Sequence, residues 1–501
     1  MDLLLGIDMG TTHIKVATFN VQGHLHSLEM SRTKTNSLGV GQAVYDPQEI
    51  WDCVSALLRK ATRKLDPLDR ILSISVASMG EAGLFLDASG QPLTPIIPWF
   101  DVRGKEAMDE WYESMRPNEC FAITGLNYNY IYSLFKMLWL KKHQPEIMER
   151  AAKWLCMPDF IYYCLTGEYA TDHSIASRTM LFDVRKGEWS ETLLDRAGFD
   201  KTLLPPSYAS GTVIGSVSRK AADVTGLSTH TMVAVGGHDH ICGSFAANVI
   251  EPGRVLDSSG TAESLIAVFR ELSELDTEAF SGFNVGRHVI PDLYYMQGGV
   301  DSSGISIEWF LEQFAKMSYD EMIELARTSE VGAHGMFFVP HLRGSSPPVG
   351  EPYSKACFLG MRDYHTPADF LRSIHEGLCF EVAGILKVME KALSLEFRNI
   401  HAIGGGSKND LWMEIKSTVT NKPIEVPAVH EATLLGAALL GGVGVGVYRD
   451  HQEASRATYR SSLTYEPDPN LRERYGKLYE TYHKILPLAR QISQIMHQAE
   501  D

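Results

Sequence analysis

Asp8, Gly10, Thr11 and Thr12 lie together in the run Gly6-Ile7-Asp8-Met9-Gly10-Thr11-Thr12, between two apolar stretches. A glycine lets the backbone turn with positive φ and come close to a ligand. Successive N–H groups in such a turn form a concave anion site, and threonine hydroxyls add donors. A carboxylate beside that site would repel a bare phosphate. Asp8 therefore fits best if a water-coordinated Mg²⁺ lies between the two. An ordinary hairpin with a glycine turn would have the same letters. The second half of the chain repeats the plan in Val255-Leu256-Asp257-Ser258-Ser259-Gly260-Thr261, followed by the apolar run Leu265 to Val268. Gly10-Thr11 lines up with Gly260-Thr261. Two such loops, each opening one half of a long chain, suggest a duplicated domain that grips a nucleotide phosphate chain from both sides.

Other stretches could supply the remaining chemistry. In Gly236-Gly237-His238-Asp239-His240 two glycines free the turn and leave Asp239 at a strand's carboxyl end, where it could act as a general base. It could also cap a helix starting at Ile241. A metal at His-Asp-His lacks a third ligand at suitable spacing. Ser78-Met79-Gly80-Glu81 follows a buried strand, the place where α/β folds put ligand groups. Trp99, Asp101 and Arg103 could form a sugar platform or a salt bridge under a loop. Ser302-Ser303-Gly304 opens a helix, a second ready anion site. Gly404-Gly405-Gly406-Ser407-Lys408-Asn409 would let a base or ribose lie against bare backbone. It is no Walker P-loop, because Lys408 is followed by Asn409.

Alternating or continuous apolar runs place the elements that must hold these residues. Leu3 to Ile7 and His13 to Phe19 read as a hairpin, with a third strand from His24 to Arg32. Asp46-Pro47 opens a helix. Ile71 to Ala77, Thr231 to Val235, Tyr294 to Gly299, Gly335 to Pro340 and Asn399 to Ile403 read as strands. Ser133 to Leu140, Trp154 to Gly167, Ile305 to Phe314, Pro367 to Leu393, Glu431 to Leu440 and Leu471 to Gln498 read as helices, the last packed on the outside. Ser174 to Asp183 lies near the cleft wall. Leu342 to Pro352 is a Pro/Gly/Ser loop of the kind that covers sites.

Size and charge narrow the classes. A chain of 501 residues is too long for one ordinary core. A formal charge of −16 argues against a nucleic-acid or acidic-membrane surface, so a nucleotide must be held by backbone donors and a metal. The seven scattered cysteines never form C-x-x-C, which favours reduced thiols in a cytoplasmic setting. The first apolar run is too short for a signal peptide, and no stretch approaches the ~18 residues that span a membrane.

From residue 3 to about residue 445, these motifs and their order resemble the FGGY family of carbohydrate kinases, within the actin-like ATPase superfamily. The resemblance implies an α/β chain of two actin-like (ribonuclease H-like) domains with a central interdomain cleft. It sets a sugar-binding side at 1–245, a nucleotide-binding side at 246–450 and a helical extension at 451–501. It also implies ATP and Mg²⁺ as cofactors and a possible homodimer. Asp8 would hold the metal. Thr11, Thr12, Lys15, Gly260, Thr261, Gly304, Gly405, Gly406 and Asn409 would hold the nucleotide. Asp239 matches the family's catalytic base, and Gly80, Glu81, Trp99, Asp101 and His240 fall on the sugar side. Ser133-x-x-Lys136-x-x-Trp139 and Glu376-Gly377 resemble further family signatures.

The departures concern the substrate. Glycerol kinases carry Arg-Glu where this chain has Gly80-Glu81, a tyrosine near Ile131, and Gln at His240. Xylulose kinases typically show Met-His-Gly at Gly80-Glu81-Ala82. Neither glycerol nor D-xylulose is thereby favoured. Glu81 with His240 would suit a ketose or polyol with several hydroxyls. The expected activity is transfer of the γ-phosphate of ATP to such a hydroxyl. The alternatives are a nucleotide-driven interaction protein related to actin and the heat-shock chaperones, and a sugar sensor without catalysis. The Asp239 turn and the Glu81 and Trp99 loops favour the kinase.

Overall fold

The computed structural model describes residues 1–272, 278, 280, 282–345, 350–351, 353–429 and 431–499. Leu3, Leu4, Leu5 and Ile7 are fully buried and form strand β1 (Asp2–Met9), which pairs antiparallel with β2 (His13–Asn20). β3 (Leu25–Arg32) continues this meander, and β4 (Arg70–Ser78) lies parallel to β1 on its other side. β5 (Val213–Ser216) and β6 (Met232–Ala234) extend the sheet, and β7 (Gly237–His238) pairs with the end of β4. The resulting sheet has seven strands, in the order β5-β6-β4-β1-β2-β3 with β7 beside β4.

The second half repeats this kernel. β8 (Arg254–Ser259) pairs antiparallel with β9 (Glu263–Phe269), as β1 does with β2. β10 (Asn284–Arg287) and β11 (Tyr294–Val300) extend that side, and β12 (Asn399–Ile403) lies parallel to β8, as β4 does to β1. β13 (Ile424–Pro427) and β14 (Ser461–Tyr465) complete a second seven-stranded sheet. The tail after residue 450 therefore contributes an edge strand as well as helices. Each tight hairpin turn falls between the same two strands of its sheet, so the duplication read from Gly10-Thr11 and Gly260-Thr261 is structural.

Helices pack on these sheets, and two of them brace the halves against each other. α1 (Pro47–Thr62) starts as expected, with the Asp46 carboxylate accepting from the N–H groups of Gln48 and Glu49. α2 (Asp239–Ala246) leaves the end of the first sheet, and α3 (Pro367–Leu393) is buried along most of its length. α4 (Ala432–Gly444) comes from the second half yet lies against β1 and β4 of the first sheet. One apolar core holds Leu4 and Phe19 of the first sheet, Leu256, Ile266 and Val268 of the second, and the inner faces of α2 and α4.

One expectation of secondary structure needs correction. Trp154 to Cys156 is not helical but belongs to a strand, Ala151–Cys156, that pairs with Gly83–Asp87; the helix begins at Met157. The Phe85 and Trp154 rings pack edge to face across that pair, 4.9 Å apart, a tertiary contact that local propensity does not encode. The terminal helix, Arg472–Gln498, packs on the outside as expected and is anchored there by two tyrosines. Tyr475 bonds Glu376 at 3.1 Å and Tyr482 bonds Glu381 at 2.6 Å. Of the loop expected to cover a site, residues 346–349 and 352 lie outside the described residues.

The second turn rests on a buried cation. Lys416 is inaccessible and its ammonium reaches Asp257, Glu263 at 2.6 Å and the Ser259 hydroxyl at 3.3 Å. Asp257 and Glu263 flank the Ser259-Gly260-Thr261 turn. Burial, then the charge of Asp257, pushes the Glu263 carboxyl up despite Lys416. Removing one partner of such a cluster strands the others in low dielectric, typically at about 3–5 kcal/mol. Lys416→Met, of similar volume, is expected to lower the unfolding free energy by an amount in that range, read from urea denaturation as a lower midpoint.

Candidate active site

β1, β4 and β7 end side by side, with Asp8 in register with Ala77 and Ala77 with Gly237. Asp8 and Asp239 are thus delivered to the carboxyl ends of the two strands that flank β4. The turn before Asp239 is held by buried hydroxyls. Tyr162 donates to the Val76 carbonyl at 3.1 Å and accepts from the Gly236 N–H at 2.7 Å. Ser174 accepts from the His238 N–H at 2.8 Å and donates to Asp172 at 2.7 Å. Asp239 does not cap a helix starting at Ile241; it is the first residue of α2, and His238 precedes it as the cap position.

Asp239 Oδ1 accepts from the His240 N–H at 2.6 Å and lies 3.2 Å from His238 Nδ1. Its other oxygen accepts nothing from the described residues. Burial alone would raise this carboxyl, but His240 and its N–H outweigh it and hold it below the usual range. Burial pushes the His238 imidazole down to about 3, so it is neutral. Asp8 accepts no side-chain hydrogen bond from any described residue. Burial, then the neighbouring Asp239 charge, pushes it up to about 7. No group of three or more metal-ligating side chains occurs among the described residues. A lone acceptor carboxylate at a phosphate-type turn suits a cation that keeps most of its waters.

A cavity of about 570 Å³ opens above this floor, lined from both halves: Thr11 and Asp239 from the first, Ser258, Ser259, Gly260, Gly404 and Gly405 from the second. The two turns are built alike. The Gly10 N–H donates to the His13 carbonyl at 3.1 Å and the Gly260 N–H to the Ala262 carbonyl at 2.9 Å. These two amides are spent closing their turns. The N–H groups of Thr11, Thr12, Thr261 and Ala262 bond to no described residue and form the open donors. Gly10 does not use a positive φ; what demands glycine is crowding, since a Cβ would stand 2.8 Å from the His13 carbonyl oxygen. Gly404 has φ +91° and a Cβ there would overlap the Ser259 backbone, whereas Gly405 faces open space.

Not every expected residue reaches the cavity. Asp101 is fully buried, accepts from the Ala43 N–H at 2.8 Å and pairs with Arg103 at 2.9 Å. It is the salt bridge under the loop, not a platform. Asn409 is inaccessible; it accepts from the Trp412 N–H at 3.0 Å as a helix cap and contacts His375 Nε2 at 2.9 Å. Lys15 pairs across the two halves with Glu431 at 2.7 Å and does not line the cavity. Gly304 supports the second turn from behind, its N–H donating to the Gly260 carbonyl at 3.0 Å. Gly406 is buried against Ser259 and Trp412. Thr12 and Thr261 are exposed at the turn tips.

Of the residues expected on a sugar side, Gly80, Glu81, Trp99 and His240 line the cavity. Trp99 is tied to the first turn by an Nε1–H bond to Thr11 Oγ1 at 3.0 Å. Residues that sequence reasoning did not single out stand beside them. Arg178, Asn284 and Gln297 line the same space, as does His238 of the Asp239 turn. Arg178 is the lone cation of the Ser174 to Asp183 stretch, a signal available in the sequence. Asn284 and Gln297 come from paired strands whose approach only the second sheet creates.

Family models for the FGGY family of carbohydrate kinases match the chain, the N-terminal domain over residues 3–246 and the C-terminal domain over residues 258–445. A xylulose kinase of Staphylococcus epidermidis is 29% identical over 500 residues, covering 98% of each chain. A ligand-bound xylulose kinase structure from Lactobacillus acidophilus superposes with a TM-score of 0.90 at 24% identity, over 97% of this chain and 98% of that one. A gluconate kinase structure from the same organism gives 0.91 at 24% identity, with the same coverage. These structures share the fold.

The Tyr162 hydroxyl is the shared partner of two buried backbone groups beside the Asp239 turn. Tyr162→Phe leaves both unpaired, at an expected cost of about 1–3 kcal/mol, measurable as a lower denaturation midpoint.

Proposed function

The chain belongs to the FGGY family of carbohydrate kinases, which phosphorylate sugars and polyols with ATP, and we propose that Asp239 is its general base toward a ketose or polyol hydroxyl. The reading divides the chain into a sugar side, 1–245, and a nucleotide side, 246–450. The observation that carries it is the single cavity shared by Thr11, Asp239, Ser259-Gly260 and Gly404-Gly405. The free oxygen of Asp239 would accept the hydroxyl proton as the substrate oxygen bonds to the γ-phosphorus and the bond to ADP breaks. Because His240 and its N–H hold this carboxyl below the usual range, it is ready to take that proton.

The amides of Thr11, Thr12, Thr261 and Ala262 would hold phosphate oxygens from two sides. Asp8 would hold Mg²⁺, which when bound neutralises phosphate charge. Gly405, with open space before it, would face the nucleoside. Trp99 would lay its ring along the sugar and keep the first turn in place. Glu81 and His240 would take hydroxyls, a set suited to an uncharged ketose or polyol. Relatives named xylulose kinase point the same way, toward pentuloses, while others are named for sugar acids. Water would be excluded by approach of the two halves, limiting ATP hydrolysis.

Asp239→Asn keeps shape and removes the base. It is expected to fold, to bind ATP as the parent does, and to lose about 10²–10⁴ in kcat, read by coupled ADP release with a panel of pentuloses and pentitols. Near-parental turnover would remove Asp239 from this role.

A further inference from the structure

Glu81 and Arg178 form a nearly inaccessible ion pair that nonetheless lines the cavity. Arg178 Nε reaches Glu81 Oε1 at 2.6 Å and Nη2 reaches the same oxygen at 2.5 Å. Nη1 lies 3.4 Å from Gln297 Oε1 across the cleft, and the guanidinium sits 5.4 Å above the Tyr132 ring. Oε2 of Glu81 takes no bond from a described residue. The backbone under Glu81 is in the left-handed region, with φ +66°. That conformation is uncommon for a residue with a side chain and clusters at functional sites. Gly80 makes room for it, since a Cβ there would stand 3.0 Å from His238 Cδ2 and 3.2 Å from Arg178.

The charges around the cavity are unequal. Among the described lining residues the acids are Glu81, Asp239, Glu263 and Asp301, and the sole Arg or Lys is Arg178. Glu263 is held from behind by Lys416, which does not line the space. The one cation is therefore committed to the one acid beside it. A hydroxyl can donate to Glu81 Oε2 without disturbing that pair. A substrate carboxylate would instead face Glu81 and Asp239 as like charges, with the guanidinium already taken.

Resting on the sugar-kinase reading above, we propose that the Glu81–Arg178 pair is a charge filter: it admits uncharged ketoses and polyols and rejects aldonates by occupying the arginine that would otherwise bind their carboxylate. Arginine is well shaped for two-point carboxylate recognition. Discrimination here comes from a repulsive charge as much as from attraction. Removing the Glu81 charge while keeping its shape turns the filter into a receptor, because Arg178 then has no anionic partner.

The test compares kcat/KM for uncharged pentuloses and pentitols with that for five- and six-carbon aldonates. The parent enzyme is expected to favour the best uncharged substrate by at least about 100-fold, since like-charge juxtaposition is strongly unfavourable. Glu81→Gln is expected to narrow that ratio by at least about tenfold, chiefly through a lower KM for aldonates. Glu81→Gln/Arg178→Gln is expected to lose that gain, an outcome that a merely structural role for the pair would not produce. Aldonate turnover by the parent equal to that of uncharged sugars overturns the filter and leaves the Asp239 reading standing. So does a double variant that takes aldonates as well as the single one. If the parent phosphorylates neither class, the substrate reading under Proposed function falls and the filter with it. If Glu81→Gln does not fold, judged by circular dichroism, the parent's ratio decides alone.

Discussion

The geometry of the whole site depends on how closely two helices approach. A side chain at Gly436 of α4 would collide with the Cys242 carbonyl of α2, and one at Gly6 of β1 would collide with the Leu434 carbonyl of α4. Only bare backbone fits at these contacts. Because α4 comes from the second half and lies on the first sheet, this contact sets the position of one sheet against the other. The facing of the two turns over a shared cavity follows from it. Lys15 and Glu431 tie the same junction at its rim, 2.7 Å apart and partly exposed. A surface-type pair of this kind contributes little energy, so the packed glycine contacts set the geometry.

The two turns solve one problem with different supports. The first is held by the sheet below it and by Trp99 above. The second is held by a buried ammonium between two acids, with Ser303 donating to Glu263 at 2.6 Å. In both, the glycine amide closes the turn and the next amides stay open. Anion binding at such a turn needs no basic side chain, which explains how an acidic chain can hold a nucleotide. The cavity's floor is negative, and Arg178 is the sole Arg or Lys among its described lining residues.

Much of the candidate site was legible because its letters are local. The Asp8 to Thr12 turn, the Asp239 turn and the glycines at 404–406 each lie within a few residues, and strand followed by turn is a short-range signal. The residues that were misjudged had ambiguous surroundings. Asp101 beside Arg103 reads equally as ligand or ion pair, and burial decided for the pair. Asn409 follows a glycine run, but the helix after it claims its side chain as a cap. Gly10 was expected to need positive φ, and the actual reason is a carbonyl three residues on that no spacing rule reveals.

The sequence by itself determined the alternation of strands and helices, the doubling of the turn motif, the acid and base inventory and the kinase family. These depend on periodicity and on neighbours along the chain. Only the tertiary structure decided which charges meet. Glu81 and Arg178 are 97 positions apart, and Lys416 stands 159 from Asp257; such pairs form because two sheets and their crossing helices bury them together. Burial then sets their charge states and partners, and no linear spacing carries that information.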